Sequence, residues 1–260
     1  MAKFIVIDGL DGCGKAVQTK LLKEELEKQN YKVIQISFPN YESDSSAPVR
    51  MYLNGEIGKD AKLLNPYMCS TFYTVDRCIQ YITDWKKYFE EDDNTIILAD
   101  RYISANVIHQ AGKIKSKKER EEFIEWLYDF ECDKCSLPRE DITILLTVEP
   151  KISQKLMSKR YNNDDSKKDI HEADINYLTE CYNRLGESLD AIQNRIRLGT
   201  RYVRLLCDKM FDDNGLVVDK YTDIESIEDI HQAVMNIVNT VLKHGKLDSE
   251  YTVSVAKHKV

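Results

Sequence analysis

The chain has 260 residues, of which 42% are hydrophobic and 31% charged, and its formal net charge is −7. That balance fits a soluble globular protein with a sizeable core and argues against a duplex-binding protein, which would present a basic face. No run approaches the roughly 18 apolar residues of a membrane span, and the first residues lead straight into a strand-like segment without a signal-peptide pattern, so a cytoplasmic protein is expected.

In chain order, "KFIVID" (3–8) is a short apolar run closed by glycine and reads as a buried strand. Residues 15–29 carry Leu21, Leu22 and Leu26 at helical spacing. "YKVIQISF" (31–38) is a second strand, stopped by Pro39. A polar stretch over 40–62 includes a short helix around 46–54, and the Tyr-rich stretch 66–90 is mostly helical. "TIILAD" (95–100) is a third buried strand, residues 117–131 a helix, and "DITILLTVE" (141–149) a fourth strand. After it comes a helix that breaks into a polar loop at 162–168 and resumes as a long helix. "RYVRLLCD" (201–208) is a fifth strand and 226–243 an amphipathic helix. The domain is expected to cover 1–245, and 246–260 to form a polar, frayed tail.

Strands alternating with helices predict an α/β fold, a five-stranded parallel sheet flanked by helices in three layers. Ligands of such sheets bind at the carboxyl ends of the strands. The informative residues gather there: Asp8 to Lys15 after the first strand, Phe38-Pro39 after the second, Asp100-Arg101 after the third.

Residues 9–15, "GLDGCGK", have the spacing of a phosphate-binding loop between a strand and a helix. Glycines at 9, 12 and 14 let main-chain amides close on an anion, and Lys15 reaches outer phosphates as a mobile charge. Position 16 is Ala where the pattern usually has Ser or Thr to help hold magnesium, and Val17 offers no hydroxyl either. Mg²⁺ would then be held by carboxylates, phosphates and water, with Asp8 and Asp100 as candidates. The seven cysteines, an odd number scattered along the chain, read as reduced thiols. Cys132-x-x-Cys135 lacks the two further ligands a zinc site needs, and Cys13 reads as a small residue of the loop.

Taken together, "FIVIDGLDGCGK", "SFPNYES" (37–43), "FYTVDR" (72–77), "DRYISANVIHQ" (100–110) and the basic stretch "KRYNNDDSKKD" (159–169) resemble the thymidylate kinase family over residues 3–245. The resemblance implies transfer of the γ-phosphoryl group of ATP to dTMP, with Mg²⁺, in a homodimer whose helices between 66 and 131 form the interface. It implies no nucleic-acid or membrane partner.

By that resemblance, Gly9, Asp11, Gly12, Cys13, Gly14, Lys15, Ala16 and Val17 form the ATP site. Lys15, Asp100, Arg101 and Arg160 are the catalytic set, Arg160 acting from a lid around 159–169. The acceptor site comprises Asp11 on the deoxyribose 3′-hydroxyl, Phe38 and Tyr73 against the base, Arg77 on a base carbonyl, Arg101 on the phosphate, and Asn106 and Gln110 around the base. Each residue type also has a structural reading. Arg101 suits a local ion pair, Asp100 a helix cap, Asp11 a turn, Tyr73 and Phe38 core packing, Asn106 and Gln110 an exposed helix face, and Lys159-Arg160 a solvated charge run. Tyr41 stands where many members have a phosphate-binding Arg, with Arg50 the nearest replacement. Two other functions stay open on these residues: a kinase of another nucleotide or deoxynucleoside, and a nucleotide-binding protein without turnover.

Overall fold

Alternation along the first strand creates two separate cores. In the computed structural model, which describes residues 1–91, 94–195, 201–209, 223–245 and 252–255, β1 (Lys3–Gly9) is buried almost throughout. Its Phe4 and Val6 enter one apolar cluster, Ile5 and Ile7 another, because successive side chains of a strand face opposite ways. β3 (Thr95–Asp100) and β4 (Ile142–Thr147) share this two-sided burial, which is the mark of inner strands of a parallel sheet. With β2 (Lys32–Ser37), β5 (Tyr202–Leu206) and β6 (Thr252–Ser254) they form a six-stranded sheet of order β2-β3-β1-β4-β5-β6. Every strand pair is parallel.

Helices cover both faces. α1 (Lys15–Lys28) and α8 (Ile227–His244) seal one with Leu22, Leu26, Val234 and Val238. α4 (Ile103–His109), α5 (Lys117–Tyr128) and α7 (Ile175–Arg195) seal the other with Val107, Phe123, Leu127, Leu178 and Leu185. α2 (Ala47–Leu53), α3 (Pro66–Gln80) and α6 (Pro150–Arg160) sit around the carboxyl ends of the strands. Among the described residues no helix is long and apolar enough to cross a membrane, and all seven cysteines are free.

The three-layer α/β architecture is the expected one, with one strand more than the five read from sequence. β6 lies in the segment assigned to a frayed tail: Thr252, Val253 and Ser254 pair with Arg204, Leu205 and Leu206. The cause is apolar content that charged neighbours mask in sequence, since Val255 is 1% exposed and packs into the second core with Val253 against it. Residues 246–251 and 256–260 lie outside the described residues. The stretch 66–90, expected to be mostly helical, runs from α3 into a π-helical turn at Tyr81–Trp85 and a 3₁₀ turn at Lys86–Glu90, and the helix expected over 117–131 passes into a π-helical turn at Asp129–Lys134.

The chain leaves β1 towards β2 on one side of the sheet and leaves β3 towards β4 on the other. Such a reversal opens a crevice between the carboxyl ends of the two adjacent strands. Ile7 pairs with Asp100 there, and the Arg101 amide donates to Ile7 O at 3.0 Å.

Candidate active site

The loop from β1 to α1 begins the site. Gly14 caps α1 at φ 90° without a side-chain cap, and Gln18 bonds back to Gly14 O at 3.1 Å. The amides of Lys15, Ala16 and Val17 therefore have no intrahelical acceptor and lie at the positive end of the helix. At Gly12, φ 77°, an added Cβ would fall 2.7 Å from both Met157 Cγ and Ser153 O, so a glycine is what lets α6 close against the loop. Lys15 Nζ is folded back onto its own loop, 2.8 Å from Leu10 O and 4.0 Å from Asp11 Oδ1.

A cavity of about 730 Å³ runs from this loop across the ends of β2 and β3, a volume in the range of small-molecule sites. Residues 11–18 line one half, together with Met157, Arg160 and the start of α8. Phe38, Tyr41, Tyr73, Asn106, His109, Gln110 and His171 line the other, and Asp100 and Arg101 lie on the wall between β2 and the loop.

Arg101 is the hinge of the charge network. It holds φ 70°, uncommon for a side-chain-bearing residue. Its guanidinium pairs with Asp11 Oδ1 and lies 3.4 Å from Asp8 Oδ1 and 3.3 Å from Gly9 O. Burial pushes the Asp11 carboxyl up, but Arg101, His109 and Lys15 outweigh it and hold the group below the ordinary carboxylate range. Burial does prevail at Asp8, whose carboxyl is raised despite Arg101 and Lys15. Asp11 Oδ2 lies 3.8 Å from His109 Nε2, and burial drives the His109 pKa down to about 3.

Most of the residues expected at the site meet here. Asp11 through Val17, Phe38, Tyr73, Asp100, Arg101, Asn106, Gln110 and Arg160 all line the cavity. Asn106 and Gln110 are 1% and 0% exposed, so neither belongs to an open helix face. Phe38 serves the core as well, with ring centroids 5.8 Å from Tyr102 and 6.3 Å from Trp85. Arg160 reaches Glu172 Oε1 at 2.5 Å and the Tyr161 hydroxyl at 2.7 Å.

Four expectations need correction. Arg77 is 1% exposed and does not line the cavity; its Nε lies 2.7 Å from Glu131 Oε2 and its Nη2 2.5 Å from Glu131 Oε1. Its Nε–Nη2 edge is spent on one carboxylate and its Nη1 lies 3.4 Å from Tyr102 O, and removing one partner of such a buried pair costs about 3–5 kcal/mol. Asp8 is sealed, not open to a metal: it accepts from the Gly9 amide at 2.7 Å and the Ser104 hydroxyl at 2.5 Å. Gly9 has thereby committed its amide to Asp8, and its Cα packs against Leu146 O of β4, behind the cavity wall. Arg50 does not stand in for the arginine missing at Tyr41 either: it donates to Tyr41 O at 3.0 Å and Ser43 O at 2.7 Å and so braces its own loop.

Sequence reasoning missed His109, His171 and Tyr52. The imidazoles of His109 and His171 stack with centroids 5.0 Å apart and planes 18° apart. Asp11, His109 and His171 bring one ligand-capable atom each within 4.8 Å, the one such three-residue group among the described residues. Cys132 and Cys135 belong to no such group. A hard cation such as Mg²⁺ prefers carboxylate oxygen; Asp8 is sealed, Asp11 is paired with Arg101, Asp169 holds two main-chain amides and Glu172 holds Arg160, and Asp100 on the cavity wall is the carboxylate that suits one. A histidine directly before Gln110 and one after the lid carry no local sign of facing each other.

The thymidylate kinase family model matches residues 7–197. The chain is 25% identical over 248 residues to the thymidylate kinase of Schizosaccharomyces pombe, covering 95% of this chain and 96% of that protein. It is 25% identical over 183 residues to the Plasmodium falciparum thymidylate kinase, covering 69% of this chain and 79% of that one. The solved structure of thymidylate kinase from Candida albicans superposes with a TM-score of 0.61 at 17% identity over 96% of both chains, which establishes likeness of fold.

Proposed function

The chain belongs to the thymidylate kinase family, and from that premise we propose that it transfers the γ-phosphoryl group of ATP to a phosphate oxygen of dTMP, giving dTDP and ADP. The observation that carries this reading is one cavity with the open amides of α1 and Lys15 on one wall and the Arg101 guanidinium on another. Phosphoryl transfer needs charge neutralisation and in-line placement of two anions more than covalent help, and these are the groups for it.

On this reading Lys15 leaves Leu10 O for the outer phosphates of ATP, and the amides of 15–17 hold the chain of phosphates against the helix N-terminus. Arg101 turns from Asp11 to the dTMP phosphate, for which a planar fork is suited. Asp11, released, accepts from the sugar hydroxyl. Tyr73 and Phe38 flank the base, and the amides of Asn106 and Gln110 face its edge. Arg160 swings from Glu172 onto the transferring group, closing the lid around 159–169. Asp100 is the residue that would hold a magnesium ion, because Ala16 offers no hydroxyl, and the ion would supply further charge neutralisation on the phosphates.

A homodimer is part of the proposal. Met68, Val75, Ile79 and Ile82 are 40%, 46%, 43% and 71% exposed, and their spacing puts them on one face of α3 and its continuation. An apolar stripe of that length on the surface is the kind of patch a partner covers. The free thiols and the lack of a membrane-spanning helix among the described residues support a cytoplasmic setting.

The test is coupled ADP release with ATP and magnesium over a panel of nucleoside monophosphates and deoxynucleosides. Fastest turnover on dTMP is expected. Faster turnover on another acceptor would reassign the substrate, and calorimetric dTMP binding with no ADP formed would make the protein a binder without catalysis.

A further inference from the structure

Behind the stacked histidines runs a buried chain of hydrogen bonds that no role given so far uses. Lys113 Nζ donates to the Tyr52 hydroxyl oxygen at 2.9 Å. That hydroxyl lies 2.7 Å from His171 Nε2. Tyr52 and His171 are 0% and 3% exposed.

The direction of this chain follows from donor and acceptor inventory. An ammonium has donors only, so it occupies a lone pair of the phenol oxygen and cannot receive the phenol proton. Gln110 Nε2, 3.5 Å away, donates to the remaining lone pair, so the Tyr52 O–H is what is left to point outward, and of its two neighbours the His171 Nε2 nitrogen is a stronger acceptor than the Cys69 thiol. His171 is neutral: burial first, then His109, Lys113 and Arg101, hold its pKa well below the ordinary histidine value. A neutral imidazole carries one proton, and with Nε2 accepting, that proton is on Nδ1. His109 Nδ1 is sealed and partnerless, but His171 Nδ1 is not among the sealed atoms, and His171 lines the cavity.

We propose that the Lys113–Tyr52–His171 chain locks His171 as the Nδ1–H tautomer, making it a hydrogen-bond donor that, paired with Asp11 as acceptor, reads a sugar hydroxyl of the acceptor nucleotide. The proposal rests on the kinase reading for the identity of that nucleotide. A hydroxyl both donates and accepts, so a carboxylate beside a fixed N–H complements it fully. His171 is then a specificity residue, and Tyr52 and Lys113 are positioning residues. The same tautomer argues against a metal on the Asp11–His109–His171 group. A metal needs an imidazole lone pair; Nδ1 has none to give, the lone pair of Nε2 is engaged by Tyr52, and Arg101 and Lys15 already flank Asp11.

Two measurements test it. The first is ¹⁵N NMR of histidine rings in the full-length, ligand-free protein near neutral pH. His171 is expected as Nδ1–H, with that preference lost in Tyr52→Phe; an Nε2–H tautomer in the unsubstituted protein would overturn the proposal. The second is calorimetric affinity for dTMP against 3′-deoxy-dTMP. The unsubstituted protein is expected to prefer dTMP by about tenfold or more, the worth of roughly one well-made hydrogen bond. His171→Phe should compress that ratio towards one, and His171→Asn, whose side-chain N–H takes the place of Nδ1–H, should restore part of it. Binding of both nucleotides with an unchanged ratio in a folded His171→Phe would refute the hydroxyl role alone. Binding of neither, with the Nδ1–H tautomer present, would refute that role together with the kinase reading.

Discussion

Arg101 and Asp169 show what a single charged residue does in this cavity. Arg101 holds Asp11 and Gly9 O and is assigned to the acceptor phosphate. Arg101→Ala is therefore expected to raise the KM for dTMP by about 10–100-fold, as for a lost charge-assisted hydrogen bond of roughly 1.5–3 kcal/mol, with a much smaller change for ATP. Equal losses for the two nucleotides in steady-state kinetics would assign Arg101 to the wrong substrate. Asp169 accepts from the amides of His171 and Glu172 at 2.8 and 2.9 Å. Burial, and next the charge of Asp11, push its pKa up to about 7. A carboxyl raised in the folded state binds its proton more tightly there than in the unfolded chain. It therefore costs stability progressively as pH rises from about 4 to 7, and fully above 7. Asp169→Asn keeps an oxygen acceptor and removes the titration. Its melting temperature should exceed that of the unsubstituted protein at pH 8 by about 2–6 °C, for a net ~1–2 kcal/mol, with the gap closing towards pH 4. A gap independent of pH, by differential scanning fluorimetry, would rule the titration out.

At the scale of elements, β6 carries the sharpest prediction. It extends the sheet beyond β5 by three residue pairs and delivers Val255 to the core. Ending the chain after Gly245 removes that burial, worth about 1.5–3 kcal/mol for a fully buried valine, and leaves the β5 edge open to pairing with other chains. A melting temperature lower by about 3–10 °C and a greater tendency to aggregate are expected. An unchanged melting temperature would show that β6 is dispensable to the fold. The turn from β1 into α1 is likewise decided between elements, because Gly12 is needed where α6 touches the loop and not for the loop alone.

For the whole molecule the prediction concerns association. The stripe of Val75, Ile79 and Ile82 on and beyond α3 is exposed among the described residues. Ile79→Glu with Ile82→Glu should convert a species of twice the chain mass into one of the chain mass in light scattering behind size exclusion, because two carboxylates would have to be desolvated at the contact. A single-chain mass for the unsubstituted protein would remove the homodimer from the proposal. Arg77–Glu131 lies on the inner side of α3, so this surface substitution leaves that buried pair in place.

What the sequence by itself determined is whatever depends on neighbours along the chain. Apolar runs of strand length, helical spacing and the glycine–lysine loop identified the inner strands, the layer order and the cavity end of the sheet, because periodicity and backbone freedom are local properties. Asp100-Arg101 was legible because the end of a buried strand marks the cavity side of a parallel sheet. Tertiary structure alone decided the partners. Arg77 turns to Glu131, 54 residues on, and Tyr52 to His171, 119 residues on. A guanidinium reads the same in sequence whether it faces a ligand or a buried carboxylate, and a lone histidine shows no tautomer. The charge state and direction of such groups are set by which side chains packing brings within hydrogen-bond reach, and by the water that packing excludes.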